Sequence, residues 1–146
     1  SFSIWSADGK LVWDSGDAFA RHIAKVMPKQ FNSNDAKNNS FDSRSDDKGM
    51  EPEGVAVGQV GGRTYAFIGL ERTSGIFVYD VTDPKAPKMV QFVPTRDYGG
   101  NPKKDTGGDI APEGMLFIPA VDSPNGKPLL VVTFEVSGST VVYEVR

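Results

Sequence analysis

The chain of 146 residues has no cysteine and a single histidine, His22. The first absence excludes a disulfide framework and thiolate chemistry. The second excludes a zinc site built from several histidines. With one His, beside Ile23 on the helix, a surface or packing role is the expectation rather than catalysis. Basic residues are in slight deficit, 16 against 19 acidic, for a formal net charge of −3. The basic footprint of a nucleic-acid binder is therefore missing. The one local basic pair, Lys103-Lys104, sits in a loop rich in Gly, Pro and Asp and reads as solvated. No apolar run approaches the roughly 20 residues that span a bilayer, and no secretory leader is recognisable. There is no Gly-x-Ser-x-Gly elbow, and Gly58 to Gly62 lacks the Lys-Ser/Thr of a phosphate loop.

What the chain has is internal repetition. Pro52-Glu53-Gly54-Val55 returns as Pro112-Glu113-Gly114-Met115. The stretch from Leu70-Glu71 to Tyr79-Asp80-Val81 aligns without a gap on Phe134-Glu135 to Tyr143-Glu144-Val145. Repeats of this length, built of short strands, point to a propeller or solenoid array.

Alternating apolar residues between Gly and Pro turns mark antiparallel strands. Gly54–Val60, Thr64–Leu70, Ile76–Val81 and Lys88–Val93 form a complete A-B-C-D unit across residues 51–96. Gly114–Ala120, Leu129–Val136 and Thr140–Val145 form an A-B-C unit across 97–146 that lacks its D strand. At the amino end, Ser3–Ser6 and Lys10–Asp14 flank an Asp8-Gly9 turn, a strong hairpin signal. Residues 1–14 thus read as a C-D hairpin, and 15–50 as an insertion holding a helix over Asp17–Met27 and a polar loop. Asp17 is the expected N-cap, and Phe19, Ile23, Val26 and Met27 the expected apolar face. Trp5, Trp13, Tyr79 and Tyr143 are expected in packing positions. The expected fold is all-β, a fragment of a ring of four-stranded antiparallel blades with one short inserted helix. Its partners would be the remaining blades of a longer parent. The open edges at Ser1–Trp5 and Thr140–Val145 would favour self-association.

Two stretches carry a family resemblance. Gly75-Ile76-Phe77-Val78-Tyr79-Asp80-Val81-Thr82-Asp83-Pro84 resembles the LVIVD-type repeat of bacterial surface propellers. Phe31-Asn32-Ser33-Asn34, Phe41-Asp42-Ser43-Arg44-Ser45-Asp46-Asp47-Lys48-Gly49, Glu51-Pro52-Glu53-Gly54-Val55 and Tyr65 to Arg72 resemble the choice-of-anchor I family, with Met50 where its pattern has Pro. The resemblance implies a propeller, a carboxy-terminal position in a larger protein, and a secreted, cell-surface or periplasmic location. Some members are labelled alkaline phosphatase.

The candidate chemistry is carboxylate-rich. Glu53 and Glu113 are expected just before their A strands, at one mouth of a channel, with Glu71 and Glu135 as a second equivalent pair. Asp46, Asp47 and Glu51 lie close in sequence, and Asp109 precedes the second unit. Crowded carboxylates repel unless a cation or basic groups neutralise them. Calcium, which accepts several oxygens in flexible geometry, suits such a set. The same residues also fit turns whose Glu accepts backbone N–H bonds. Arg44, Lys48 and Arg72 are the candidates for holding a phosphate or another anion. Two functions follow: a binding or scaffold part of an exported bacterial surface propeller, with a cation held by the channel-mouth carboxylates, or a calcium-dependent phosphoesterase acting on phosphate monoesters.

Overall fold

The computed structural model describes residues 1–146. It is mostly β, in three antiparallel sheets that follow one another along the chain. A hairpin pairs β1 (Ser3–Trp5) with β2 (Leu11–Asp14). The helix α1 (Ala18–Val26) and a single 3-10 turn at Pro28–Gln30 follow. A four-stranded meander then runs β3 (Pro52–Val60), β4 (Arg63–Leu70), β5 (Gly75–Asp80) and β6 (Lys88–Pro94). A three-stranded meander, β7 (Pro112–Ile118), β8 (Leu129–Phe134) and β9 (Thr140–Glu144), completes the chain.

Side-chain alternation explains the layering. On β3, Gly54, Ala56 and Gly58 are buried while Glu53, Val55 and Val57 are exposed. β4 and β5 are buried on both faces, and accordingly read as nearly continuous apolar runs. Two cores result. Phe19, Ile23, Ile68, Leu70, Phe77 and Tyr79 pack between the helix and hairpin and one face of the four-stranded sheet. Ala56, Phe67, Ile76, Leu130, Val132 and Phe134 pack between that sheet and the three-stranded one. Burying a side chain such as Phe19 or Val132 contributes about 2 kcal/mol.

Glycine sets the separation of the two larger sheets. A Cβ on Gly58 would lie 2.2 Å from the Phe117 ring, and one on Gly54 would lie 2.6 Å from the Glu113 carbonyl oxygen. β3 and β7 therefore approach more closely than side chains would allow.

The order of strands agrees with the sequence reading, and five details correct it. β7 ends at Ile118 rather than Ala120, because Pro119 has no N–H for the ladder. β8 ends at Phe134 rather than Val136, since the chain turns there through a Gly138 N–H to Phe134 carbonyl bond of 2.9 Å. β3 and β7 begin at Pro52 and Pro112, so Glu53 and Glu113 are the second residues of their strands rather than preceding them. Trp5 is 59 % exposed and Val26 is 48 % exposed, not packed, because each lies on the solvent side of its element. Asp17 occupies the N-cap position, but its φ of −93° and ψ of 15° give no side-chain cap bond, and its carboxylate instead pairs with Arg21 at 2.7 Å. His22 is half-buried and packs its edge on Phe77 and Phe92.

Candidate functional site

The site is organised by two short backbone features at the start of the four-stranded sheet. Glu51 has a φ of 49°, a left-handed conformation that costs a non-glycine residue about 1 kcal/mol or more. The turn is held by the Glu71 N–H donating to the Glu51 carbonyl at 2.8 Å and the Arg72 N–H donating to the Met50 carbonyl at 3.1 Å. The second unit repeats it. Ala111 has a φ of 66°, and its carbonyl accepts the Glu135 N–H at 2.8 Å, while the Ile110 carbonyl accepts the Val136 N–H at 3.3 Å. Ala111 and Val136 thus stand where Glu51 and Arg72 stand.

The polar stretch from Phe31 to Gly49 folds over this turn. The Asp42 N–H reaches the Phe31 carbonyl at 2.9 Å, and the Gly49 N–H reaches the Arg44 carbonyl at 2.7 Å. Asn32, Ser33, Asp35 and Ser40 are buried along it. The strap brings Arg44 and Asp35 to the turn.

Glu51 is the hub. Its side chain is only 3 % exposed, and Oε1 accepts from Arg44 Nη2 at 2.8 Å, with Lys48 Nζ at 3.7 Å. Its Oε2 accepts from Arg72 Nε at 3.2 Å. Arg72 Nη1 also reaches Asp35 Oδ2 at 2.6 Å and Glu71 Oε1 at 3.1 Å. Arg44 Nη2 further pairs with Asp47 at 2.9 Å. Glu51, Glu53 and Glu71 place carboxylate oxygens within 4.8 Å of one another.

The electrostatics divide the carboxylates into unlike partners. Burial pushes the Glu71 carboxyl up, and the hydrogen bond it shares with Glu51, together with the charge of Glu53, adds to the rise. The result is a pKa of about 8, with Arg72 opposing. Burial also works against the Glu51 carboxylate, but hydrogen bonds from Glu71 and Arg44 and the charges of Arg72 and Lys48 outweigh it and hold Glu51 below its ordinary value. The two carboxyls are coupled, and burial with their mutual proximity favours one proton shared by the pair at neutral pH.

Of the candidate residues, Arg44, Asp47, Lys48, Glu51, Glu53, Glu71 and Arg72 come together. Asp46 is exposed on the strap and makes no ion pair or side-chain hydrogen bond. Glu113 and Glu135 are exposed on the second unit and are not part of the cluster. Asp109 accepts from Ser139 Oγ at 2.6 Å. Arg44 and Arg72 donate to carboxylates. Two residues of the assembly had no signal in the sequence, because their contacts are distant along the chain. Asp35 is one. The other is Arg96, 6 % exposed, which donates to the Asn34 carbonyl at 2.8 Å and to Asn38 Oδ1 at 2.9 Å and lies over the Tyr98 ring.

Stacked antiparallel meanders, one carrying a carboxylate–guanidinium hub under a polar strap, define the class of protein. The family model that matches is the choice-of-anchor I domain, over residues 1–84, and the chain belongs to this family. It is 32 % identical over 160 aligned positions, 99 % of its length, to Gigasin-3a of Magallana gigas. It is 38 % identical over 79 positions, 49 % of its length, to the mesenchyme-specific cell surface glycoprotein of Strongylocentrotus purpuratus. The chain spans 55 % of the first relative and 10 % of the second. No solved structure matches it.

Proposed function

We propose that the chain is a run of stacked blades from a β-propeller that works as a binding and scaffold module outside the cell. One observation carries the reading. Sheets of two, four and three strands stack in chain order, each packed on the next through its own core, with the first strands β3 and β7 lying together. That is how consecutive blades meet around a channel. Membership of the choice-of-anchor I family and the likeness to a relative named a cell surface glycoprotein support the location. Electron cryo-microscopy of the longer polypeptide tests it. The expected result is a ring of four-stranded blades, with β3 and β7 lining the axis. An open sandwich with nothing against β7–β9 would overturn it.

A second reading, favoured by the three convergent carboxylates, gives the hub a divalent cation. Oxygens within 4.8 Å of one another can share one calcium ion, which would take the place of the Glu71 proton. Phosphoester hydrolysis is the less supported alternative, since Arg44 and Arg72 are engaged by Asp35, Asp47, Glu51 and Glu71. A calcium titration of thermal unfolding on metal-stripped protein decides the cation. A saturable rise in Tm, larger at pH 8 than at pH 6 and absent in Glu53→Gln, is expected. No rise would leave the hub as a purely structural ion-pair network.

A further inference from the structure

The loop between β7 and β8 holds the dipeptide Asn125-Gly126. It is the one place in the chain where glycine follows asparagine. Asn32, Asn34, Asn38 and Asn39 each precede a residue with a side chain, and Asn101 precedes Pro102, which has no backbone N–H. The distinction is chemical. A side-chain amide is attacked most readily by the nitrogen of the next residue when no Cβ crowds the approach. Asn125, Gly126 and Lys127 are all exposed, and a Cβ on Gly126 would meet no atom within 4 Å, so water reaches the turn freely. The folded loop adds two features that a free peptide lacks. Asn125 Oδ1 accepts from Ser123 Oγ at 2.7 Å and from the Lys127 N–H at 3.0 Å. Both donors point at the atom that takes up negative charge when Cγ is attacked, as donors do in an oxyanion hole. Gly126 has a φ of 69°, a left-handed conformation that glycine adopts without strain. One bond works the other way. The Gly126 N–H donates to the Ser123 carbonyl at 3.1 Å and must be released before the nitrogen reacts. It is a single turn bond in an exposed loop, and such bonds open readily.

We propose that Asn125 is a site of spontaneous deamidation in the folded protein, activated by the Ser123 hydroxyl and the Lys127 backbone. Hydroxide removes the Gly126 amide proton, and the Gly126 nitrogen attacks Asn125 Cγ. The N–Cγ bond forms, the Cγ–Nδ2 bond breaks, and Nδ2 leaves as ammonia after taking a proton from water. Water then opens the cyclic imide at either carbonyl, giving aspartate or isoaspartate. The sum is amide plus water to carboxylate plus ammonium, with no oxidant or reductant. Each event adds one negative charge to the loop, two residues from Lys127, whose ammonium pairs with Glu144 at 3.0 Å. Isoaspartate also lengthens the main chain by one atom, which a loop tip with open space around Gly126 accommodates. The Asp8-Gly9 turn does not share the reactivity. Hydrogen bonds from Lys10 and Ser6 hold the Asp8 carboxyl below its ordinary value, and an ionised carboxylate is a poor electrophile.

Incubation of the protein at pH 8, followed by peptide mapping with mass spectrometry, is the test. A synthetic peptide of the sequence Pro119–Leu129 is run beside it. Asn125 is expected to convert ahead of every other asparagine, with isoaspartate among the products, and at least as fast as in the peptide. The rate should climb several-fold from pH 7 to pH 8, because the attacking nitrogen must first lose its proton. Ser123→Ala should slow conversion about fivefold in the folded protein, by removing one donor to Oδ1, and leave the peptide unchanged. Gly126→Ala should slow the peptide by about tenfold, read there because strain at the folded turn plays no part. The proposal is overturned if Asn125 keeps its amide in the folded protein while the peptide converts, which would mean that the Gly126 turn bond protects it. Earlier conversion of another asparagine would also overturn it. So would a Ser123→Ala protein that reacts at the parent's rate, since the loop would then supply no activation.

Discussion

Glu71 carries the sharpest residue-scale consequence. In the folded chain its carboxyl keeps a proton up to about pH 8, whereas an ordinary glutamate loses it near 4.5. Between those values the unfolded chain binds fewer protons than the folded one, so this group makes stability fall as pH rises from about 4.5 to 8. Glu71→Gln cannot ionise and keeps a donor for Glu51. Urea unfolding of this variant should lose that pH slope, and the variant should exceed the parent in stability at pH 8 while matching it near pH 5. Glu51 has the opposite sign. Its carboxylate is held low, so its contribution is present above the ordinary glutamate range and fades as pH falls through its depressed value. Glu51→Gln leaves Arg72 and Arg44 facing the hub without its charge. A loss of about 3 kcal/mol at pH 7 is expected, read from the shift in denaturant midpoint.

The packing of β3 on β7 dominates the scale of elements. Gly58 lies against Phe117, with no room for a methyl group. Gly58→Ala should cost about 2 kcal/mol by overpacking. Phe117→Leu in the same chain should recover part of that loss, and a double-mutant cycle on thermal unfolding measures the coupling. Strand order was legible at this scale because each strand is short and bounded by Gly or Pro turns, as at Gly61-Gly62 and Pro84. Strand ends were less so. The Glu51 turn depends on left-handed backbone and on bonds to residues 71 and 72, which no local pattern announces. Of the hub carboxylates, Glu53 was visible through the repeated Pro-Glu-Gly and Glu71 through the longer repeat, while Glu51 stood out only as a neighbour in sequence. Its neutralisation was not, because Asp35 and Arg72 are brought together only by the folded strap. Trp5 reads as core by composition, yet only the stacking of sheets decides which face of a hairpin is covered.

At the scale of the whole molecule, the stack leaves apolar side chains on both of its outer faces. Val55 and Val57 on β3 are each 59 % exposed, on the side of the sheet where the helix and hairpin cover β4 and β5. Leu116 and Val142 are 60 % and 56 % exposed on β7 and β9. Such faces are associative when nothing covers them. Leu116→Lys together with Val142→Lys should leave stability within about 0.5 kcal/mol of the parent. The same pair should reduce light scattering at high concentration. Equal scattering would show that the exposed face does not drive association.

The two units of this chain share a backbone turn but not its charge, since Ala111 and Val136 replace Glu51 and Arg72. Repeated architecture ordinarily multiplies valency, offering a ligand the same foothold at every unit. Here the foothold is struck once and left blank in the next copy, so any ion or partner that engages the hub meets this chain with a stoichiometry of one.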